Sequence, residues 1–124
     1  MSSTSYRSDA ALHQVRRALA WARETLELSP QEVGSAIGAS ERTISRWLAE
    51  DNHPSGSHVQ AAERLLELAF VLDKAFGRDM HRLHAWLHEP LPVFKGRTPL
   101  RTILNGSVED VITVVANIEG GVFA

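Results

Sequence analysis

The segment Leu28–Leu48 constrains the fold of this chain more than any other part, and its sequence is LSPQEVGSAIGASERTISRWL. Ser29 is a suitable N-cap, because its hydroxyl can accept hydrogen bonds from the first-turn N–H groups that lack partners. Pro30 follows at the first helical position, and Glu32 completes a capping box. Gly38 suits the left-handed backbone that ends many helices. The pattern predicts a short helix, a tight turn and a second helix.

The second helix is predicted to begin after Ser40 and to bury Ile44, Trp47 and Leu48 on its inner face. Gly34 is small where the two helices must approach closely. The outer face carries Ser40, Glu41, Arg42, Thr43, Ser45 and Arg46. Hydroxyls and arginines at a helix N-terminus suit phosphate oxygens and guanine edges, so this helix is predicted to enter a DNA major groove. The alternative is an ordinary helical hairpin with a solvated polar face.

The same segment resembles the helix-turn-helix domains of the Xre and phage-repressor family, in which motifs like GASERTISRW are usual. The resemblance implies that the six outer-face residues occupy base- and phosphate-facing positions. Two positions depart from the family pattern. The family often has Gln at the start of the first helix, where this chain has Pro30 with Gln31 one position off, and Gly34 replaces the usual Ala.

The composition excludes several classes of protein. The chain has 124 residues, 44% of them hydrophobic, and no cysteine, which excludes disulfides and a Cys-based zinc site. Its first residues, MSSTSYRSD, are polar and unlike a signal peptide, and no apolar run approaches the length of a membrane span. We therefore expect a soluble cytoplasmic protein with no membrane partner.

The charge is low for a DNA-binding protein, at −2 overall, and residues 1–58 contain six arginines and seven acidic residues. Non-specific DNA affinity comes from phosphate neutralisation by Lys and Arg. We therefore predict that operator binding requires a homodimer or a larger assembly. A dimer would also place two reading helices on a palindromic site.

The rest of the chain is predicted to be helical, giving an all-α fold in which a helix-turn-helix bundle precedes a small helical domain. The expected domains span residues 9–57 and 58–124. In the first half, we expect a helix from Asp9 to about Leu28 and a linker over 51–57. A long helix then runs from His58 to Phe76 and ends at Gly77, and a shorter one, capped by Asp79, runs to Leu87. Pro90 and Pro92 predict an extended stretch, Thr98 and Pro99 begin a helix that ends at Asn105 and Gly106, and Ser107 caps a last helix that stops at Gly120 and Gly121.

Residues 85–124 resemble the C-terminal toxin-binding domain of Xre/MbcA/ParS-type antitoxins. The marks are Trp86 and Leu87 before a proline, GRTPL at 96–100, LNG at 104–106 and a final IEGGVFA. The long helix with its RLLELAFVLD run fits the same family, so that the resemblance spans nearly the whole chain beyond residue 10.

The resemblance implies that the chain neutralises a RES-domain toxin that destroys NAD. Its C-terminal end would cover the entrance to the toxin's active site, and its helix-turn-helix would repress the shared promoter. The candidate toxin-binding residues are Trp86, Thr98, Pro99, Leu100, Asn105, Gly106, Glu119, Gly120, Gly121, Val122, Phe123 and Ala124. By themselves, Val122 and Phe123 after two glycines suit a plug for a cleft, although a frayed end or a tail folded back onto its own core is equally compatible.

Catalysis has little support, because the chain has no cysteine nucleophile, no GxSxG elbow and no phosphate-binding glycine loop. We predict no enzyme activity and no cofactor. His81, His84 and His88 share a helix face, but an interface or solvated face explains them better than zinc, so no metal site is predicted. The alternatives to an antitoxin are a stand-alone repressor with a dimerising C-terminal domain, and an interaction protein whose helix-turn-helix no longer binds DNA.

Overall fold

The computed structural model describes residues 3–49 and 53–119, with side chains described over 10–49 and 53–118. Over these residues it contains no strand and confirms the all-α prediction. The elements are α1 (Ser3–Thr25), α2 (Pro30–Ile37), α3 (Glu41–Leu48), α4 (Gly56–Phe76), α5 (Met80–Leu87), a 3₁₀ turn (Pro92–Phe94), α6 (Pro99–Leu104) and α7 (Val108–Glu119).

The chain divides into two compact units, Met1–Leu66 and Glu67–Ala124. The boundary falls within α4, whereas the sequence suggested a division at the 51–57 linker. α4 begins two residues before the predicted His58 because Ser55 caps it. The Ser55 carbonyl accepts a hydrogen bond from the Val59 N–H at 3.0 Å, and the Ser55 hydroxyl accepts one from the His58 N–H at 3.4 Å.

In the first unit, α1 packs against α2 and α3, and α2 packs against α3. The buried core side chains of this unit include Leu12, Val15, Leu19, Ala22, Val33, Ile37, Ile44 and Trp47. The first helix ends at Thr25 and not near Leu28, because Glu27 adopts a left-handed backbone with φ 59°. The N–H groups of Leu26 and Leu28 both donate to the Ala22 carbonyl at 3.2 Å, and both side chains remain buried.

In the second unit, α6 packs against α5 and α7. The core includes Leu68, Leu72, Leu83, Leu87, Phe94, Ile103, Val108, Val111 and Val115. The prediction of an extended stretch after Pro90 was wrong in part. Pro92 starts a 3₁₀ turn and Phe94 is buried, while the Leu91 carbonyl accepts the Gly96 N–H at 2.9 Å and closes the loop. Leu91 keeps the extended backbone that a following proline favours, with φ −122° and ψ 137°, and the 3₁₀ turn begins at Pro92 itself.

Candidate nucleic-acid and partner-binding sites

The first helix of the predicted DNA-binding motif begins as the sequence indicates. The Glu32 N–H donates to the Ser29 hydroxyl at 3.1 Å, and the Ser29 N–H donates to Glu32 Oε1 at 2.9 Å. Pro30 is the first residue of α2. The capping box is therefore confirmed.

The turn between α2 and α3 depends on two glycines. Gly38 has a left-handed backbone with φ 77°, as predicted. The N–H groups of Gly38 and Ala39 both donate to the Gly34 carbonyl, at 2.8 and 2.9 Å. The Ala39 carbonyl then lies directly over Gly34, where a Cβ atom would overlap it. The close approach at Gly34 thus involves the backbone of the turn, whereas the sequence argument assigned it to the second helix.

α3 presents the predicted outer face to solvent. Glu41, Arg42, Ser45 and Arg46 are exposed. Because Arg42 and Arg46 are four residues apart, they lie on the same side of the helix. The inner face buries Ile44 and Trp47 but leaves Leu48 41% exposed, so the prediction of a buried Leu48 was wrong.

Two of the six predicted DNA-facing side chains are engaged within the helix cap. The Ser40 hydroxyl accepts from the Thr43 N–H at 3.1 Å and donates to the Thr43 hydroxyl at 3.0 Å. Ser40 is exposed and Thr43 is half-buried. Both hydroxyls keep lone pairs, but their positions are set by the cap, so the adaptable part of the surface consists of the two arginines, Glu41 and Ser45.

Two side chains that no sequence motif indicated contact the ends of α3. Arg16 of α1 donates from Nη2 to the Leu48 carbonyl at 2.8 Å, at the C-terminal end of α3. His58 of α4 lies with Nε2 3.2 Å from the Gly38 carbonyl, and its ring meets the Trp47 ring edge-on with 5.1 Å between centroids. No local pattern reveals these contacts, because the partners are 32 and 20 residues apart in the chain.

The second unit contains an apolar groove of about 550 Å³. Its lining consists of Phe76, Arg82, Trp86, Glu89, Leu91, Pro92, Val93, Val114 and Ile118. The Trp86 ring centroid lies 5.5 Å from that of Phe76, and the Arg82 guanidinium lies 5.7 Å from the same Phe76 centroid. Val93, at the rim, is 55% exposed. Of the predicted toxin-binding residues, Trp86 alone lines this groove among the described side chains.

The TPL motif at 98–100 lies at the start of α6, and the NG motif at 105–106 lies at its end. Thr98 is its N-cap, since the Thr98 hydroxyl accepts the Arg101 N–H at 3.0 Å, and Pro99 is its first residue. Asn105 ends the helix, and Gly106 follows with φ 88°. Pro99 is buried, Leu100 is half-buried, and Asn105 lines a smaller depression of about 190 Å³. The structure therefore does not bring these residues together with Trp86 in one groove.

The predicted inhibitory tail lies outside the described residues. Glu119 is the last residue of α7, but its side chain is not described, and neither are Gly120, Gly121, Val122, Phe123 and Ala124. Ile118, which immediately precedes this segment, lines the groove. The described chain thus ends next to the groove.

The three histidines that share a helix face, His81, His84 and His88, lie in α5 and at its C-terminal cap. His81 and His88 are exposed and His84 is half-buried. Within the described part of the chain, no three His, Asp or Glu side chains are arranged to hold a metal ion. None of the helices in residues 3–49 and 53–119 is long and apolar enough to cross a membrane.

Comparisons with known proteins match both units. Residues 19–72 match a helix-turn-helix family model. The mycobacterial cidal antitoxins MbcA of Mycobacterium tuberculosis and Mycobacterium bovis are each 31% identical to the chain over 103 residues, which covers 81% of this chain and 87% of each relative. A chain in the crystal structure of the M. tuberculosis MbcT–MbcA toxin–antitoxin complex superposes with a TM-score of 0.57 at 29% identity, covering 91% of this chain and 96% of that one.

Proposed function

The chain belongs to the MbcA antitoxin family, and we propose that it neutralises a RES-domain toxin that degrades NAD while repressing its own operon through α2 and α3. The observation that carries this proposal is the extent of the likeness, which includes both the helix-turn-helix and the second unit. A stand-alone repressor would need only the first half of that likeness. We place this action in the cytoplasm, and we assign the chain no catalytic role.

The proposed toxin-binding surface runs from the groove of the second unit to the C-terminal tail. Trp86 supplies an aromatic anchor of the kind that contributes most to protein interfaces. Val114 and Ile118 continue the groove along α7 towards the tail. Glu119 and residues 120–124 would then reach the entrance of the toxin's active site, where Val122 and Phe123 exclude NAD. Residues 98–100, 105 and 106 would contribute through α6, whose ends they form.

Deletion of residues 121–124 tests the toxin arm. In a purified mixture with the adjacent gene's toxin, the truncated protein is expected to bind the toxin through the groove but to leave NAD consumption unblocked. Calorimetry measures the binding and an NAD assay measures the protection. A matched variant, Trp86→Ala with an intact tail, is expected to weaken binding. If the truncated protein still suppresses NAD loss completely, the plug mechanism is wrong.

The proposed DNA surface is the exposed side of α3. Arg42 and Arg46 are suited to phosphate oxygens and guanine edges, and Ser40, Glu41, Thr43 and Ser45 complete the surface around them. Because residues 1–58 carry more acidic side chains than arginines, we expect operator binding to require a homodimer or a larger assembly with the toxin.

The DNA arm is tested by a mobility shift with the DNA upstream of the gene, with and without the toxin. Arg42→Ala combined with Arg46→Ala is expected to abolish the specific shift. Arg17→Ala combined with Arg23→Ala removes the same charge from exposed positions of α1 and is expected to leave it in place. Equal losses in the two double variants would indicate a general charge effect and contradict the groove assignment.

A further inference from the structure

The backbone of the turn between α2 and α3 contacts α2 through Gly34 and α4 through His58. The N–H groups of Gly38 and Ala39 donate to the Gly34 carbonyl, and the Ala39 carbonyl packs on Gly34. The Gly38 carbonyl oxygen lies 3.2 Å from Nε2 of the His58 imidazole. A carbonyl only accepts hydrogen bonds, so Nε2 of His58 carries a proton and donates it.

We propose that His58 is a positioning residue for DNA reading, which sets the orientation of α3 mainly through its hydrogen bond to the Gly38 carbonyl, while its ring packs on Trp47. This inference rests on the proposed operator binding. His58 lies near the start of α4, and its hydrogen bonds and ring contact described above join it to Ser55, Gly38 and Trp47, none of which is a predicted DNA-facing residue. It acts on the carbonyl of Gly38, two residues before the N-cap Ser40 of α3, and on the buried Trp47 ring in the last turn of that helix.

The other ring nitrogen of His58, Nδ1, also has a hydrogen-bonding partner. Nδ1 lies 3.1 Å from the Ser55 hydroxyl, which also caps α4 and lies 3.1 Å from the Ser57 hydroxyl. Nδ1 of the ring is therefore hydrogen-bonded to Ser55, which caps α4, and Nε2 to Gly38 in the turn before α3. Because both nitrogens are bonded, the ring has a single orientation, and the Gly38 peptide is fixed relative to α4.

α3 is sensitive to this contact because it is short. It has eight residues, or about 12 Å of helix, so a small change at the turn moves every outward side chain. Arg16 holds the opposite end through the Leu48 carbonyl. With one helix end fixed by α1 and the other by α4, Arg42 and Arg46 are presented at a defined angle. Removal of the His58 contact lets the N-terminal end of α3 shift, which matters for base contacts because these require closer geometry than phosphate contacts.

Two substitutions separate the two nitrogens of His58. In His58→Gln the amide nitrogen takes the place of Nε2 and can still donate to the Gly38 carbonyl. In His58→Asn the shorter amide takes the place of Nδ1, so that it reaches Ser55 and not Gly38. Both remove the aromatic ring and both are neutral amides, so the pair isolates the Gly38 hydrogen bond.

The experiment is a binding titration of the wild-type protein and of each full-length variant, with the upstream DNA and with unrelated DNA of equal length. The titrations contain the toxin and are made well below the melting temperatures of all three proteins. His58→Gln is expected to stay within about threefold of the wild-type operator affinity. His58→Asn is expected to lose about tenfold, comparable to one mismatched base pair. Affinity for unrelated DNA, which reports on arginine charge, should be the same for all three proteins.

Equal operator affinities of the Gln and Asn variants would overturn the inference while leaving the proposed function intact. A parallel loss on both DNAs would also overturn it, because it would indicate general destabilisation of the first unit. Absence of any specific shift with the wild-type protein would overturn the operator-binding function and the role of His58 together.

Discussion

Substitution of Gly34 by Ala tests the description of the turn most directly. The added methyl group would overlap the Ala39 carbonyl, in a turn where the N–H groups of Gly38 and Ala39 both donate to the Gly34 carbonyl. Over-packing of this kind costs about 1–3 kcal/mol. Replacing a helical Gly by Ala returns about 0.5–1 kcal/mol through helix propensity. We therefore expect the free energy of unfolding of the first unit to fall by about 1 kcal/mol, and by at most about 2.5 kcal/mol.

The measurement is urea unfolding followed by tryptophan fluorescence. The chain has three tryptophans, and a Trp86→Phe background leaves emission from Trp21 and Trp47, both in the first unit. An unchanged dependence on urea concentration, together with a lower midpoint, would identify a loss of stability and not a change in the amount of surface exposed.

Two other glycines serve as controls. Gly38→Ala meets no neighbour but keeps φ 77°, so it should cost about 1–2 kcal/mol through the backbone alone. Gly56→Ala meets no neighbour and requires no positive φ, so it should be neutral or slightly stabilising. Related helix-turn-helix domains usually have Ala at the position of Gly34. If Gly34→Ala is as stable as the parent, the turn can relax and the reasoning from the Ala39 carbonyl fails.

Three further expectations concern local features of the chain. Glu27→Gly should raise the free energy of unfolding by about 1 kcal/mol in the same urea assay, since Glu27 has φ 59°; an unchanged midpoint would contradict this. Ser29→Ala should lower it by about 1 kcal/mol through loss of the capping box, whereas Gln31→Ala, at an exposed position two residues after the cap, should have little effect. Calorimetric titration with Zn²⁺ should give no binding signal from the histidines of residues 81–88; a saturable signal lost in His84→Ala would show that a site exists.

Local sequence chemistry predicted the helix-turn-helix well because its signals act over a few residues. The Ser29 capping box, the left-handed Gly38 and the caps at Ser40, Asp79 and Thr98 all join groups three or four residues apart. The end of α1 was predicted too far along the chain, because Glu27 adopts a left-handed backbone that is usually found for Gly or Asn.

The parts of the candidate sites that sequence reasoning missed depend on contacts between distant segments. Arg16 and His58 hold α3 across long separations in the chain, and neither belongs to a recognisable motif. The groove around Trp86 is lined by residues from α4, α5, the segment 91–93 and α7, so no single stretch of sequence predicts it. Assignment of the tail as the inhibitory element stays a prediction, since residues 120–124 lie outside the described part of the chain.

The helix between Thr98 and Asn105 changes how the signature of this family should be used. It has six residues, too few to persist without strong end signals and packing. The Thr-Pro pair and the Asn-Gly pair are those end signals, so a pattern built on them finds chains that can make this helix, whether or not they have a toxin partner. A loss of toxin binding after substitution of Thr98 would likewise report on the helix first, and its cause could be assigned only after the circular dichroism of the variant had been compared with that of the parent.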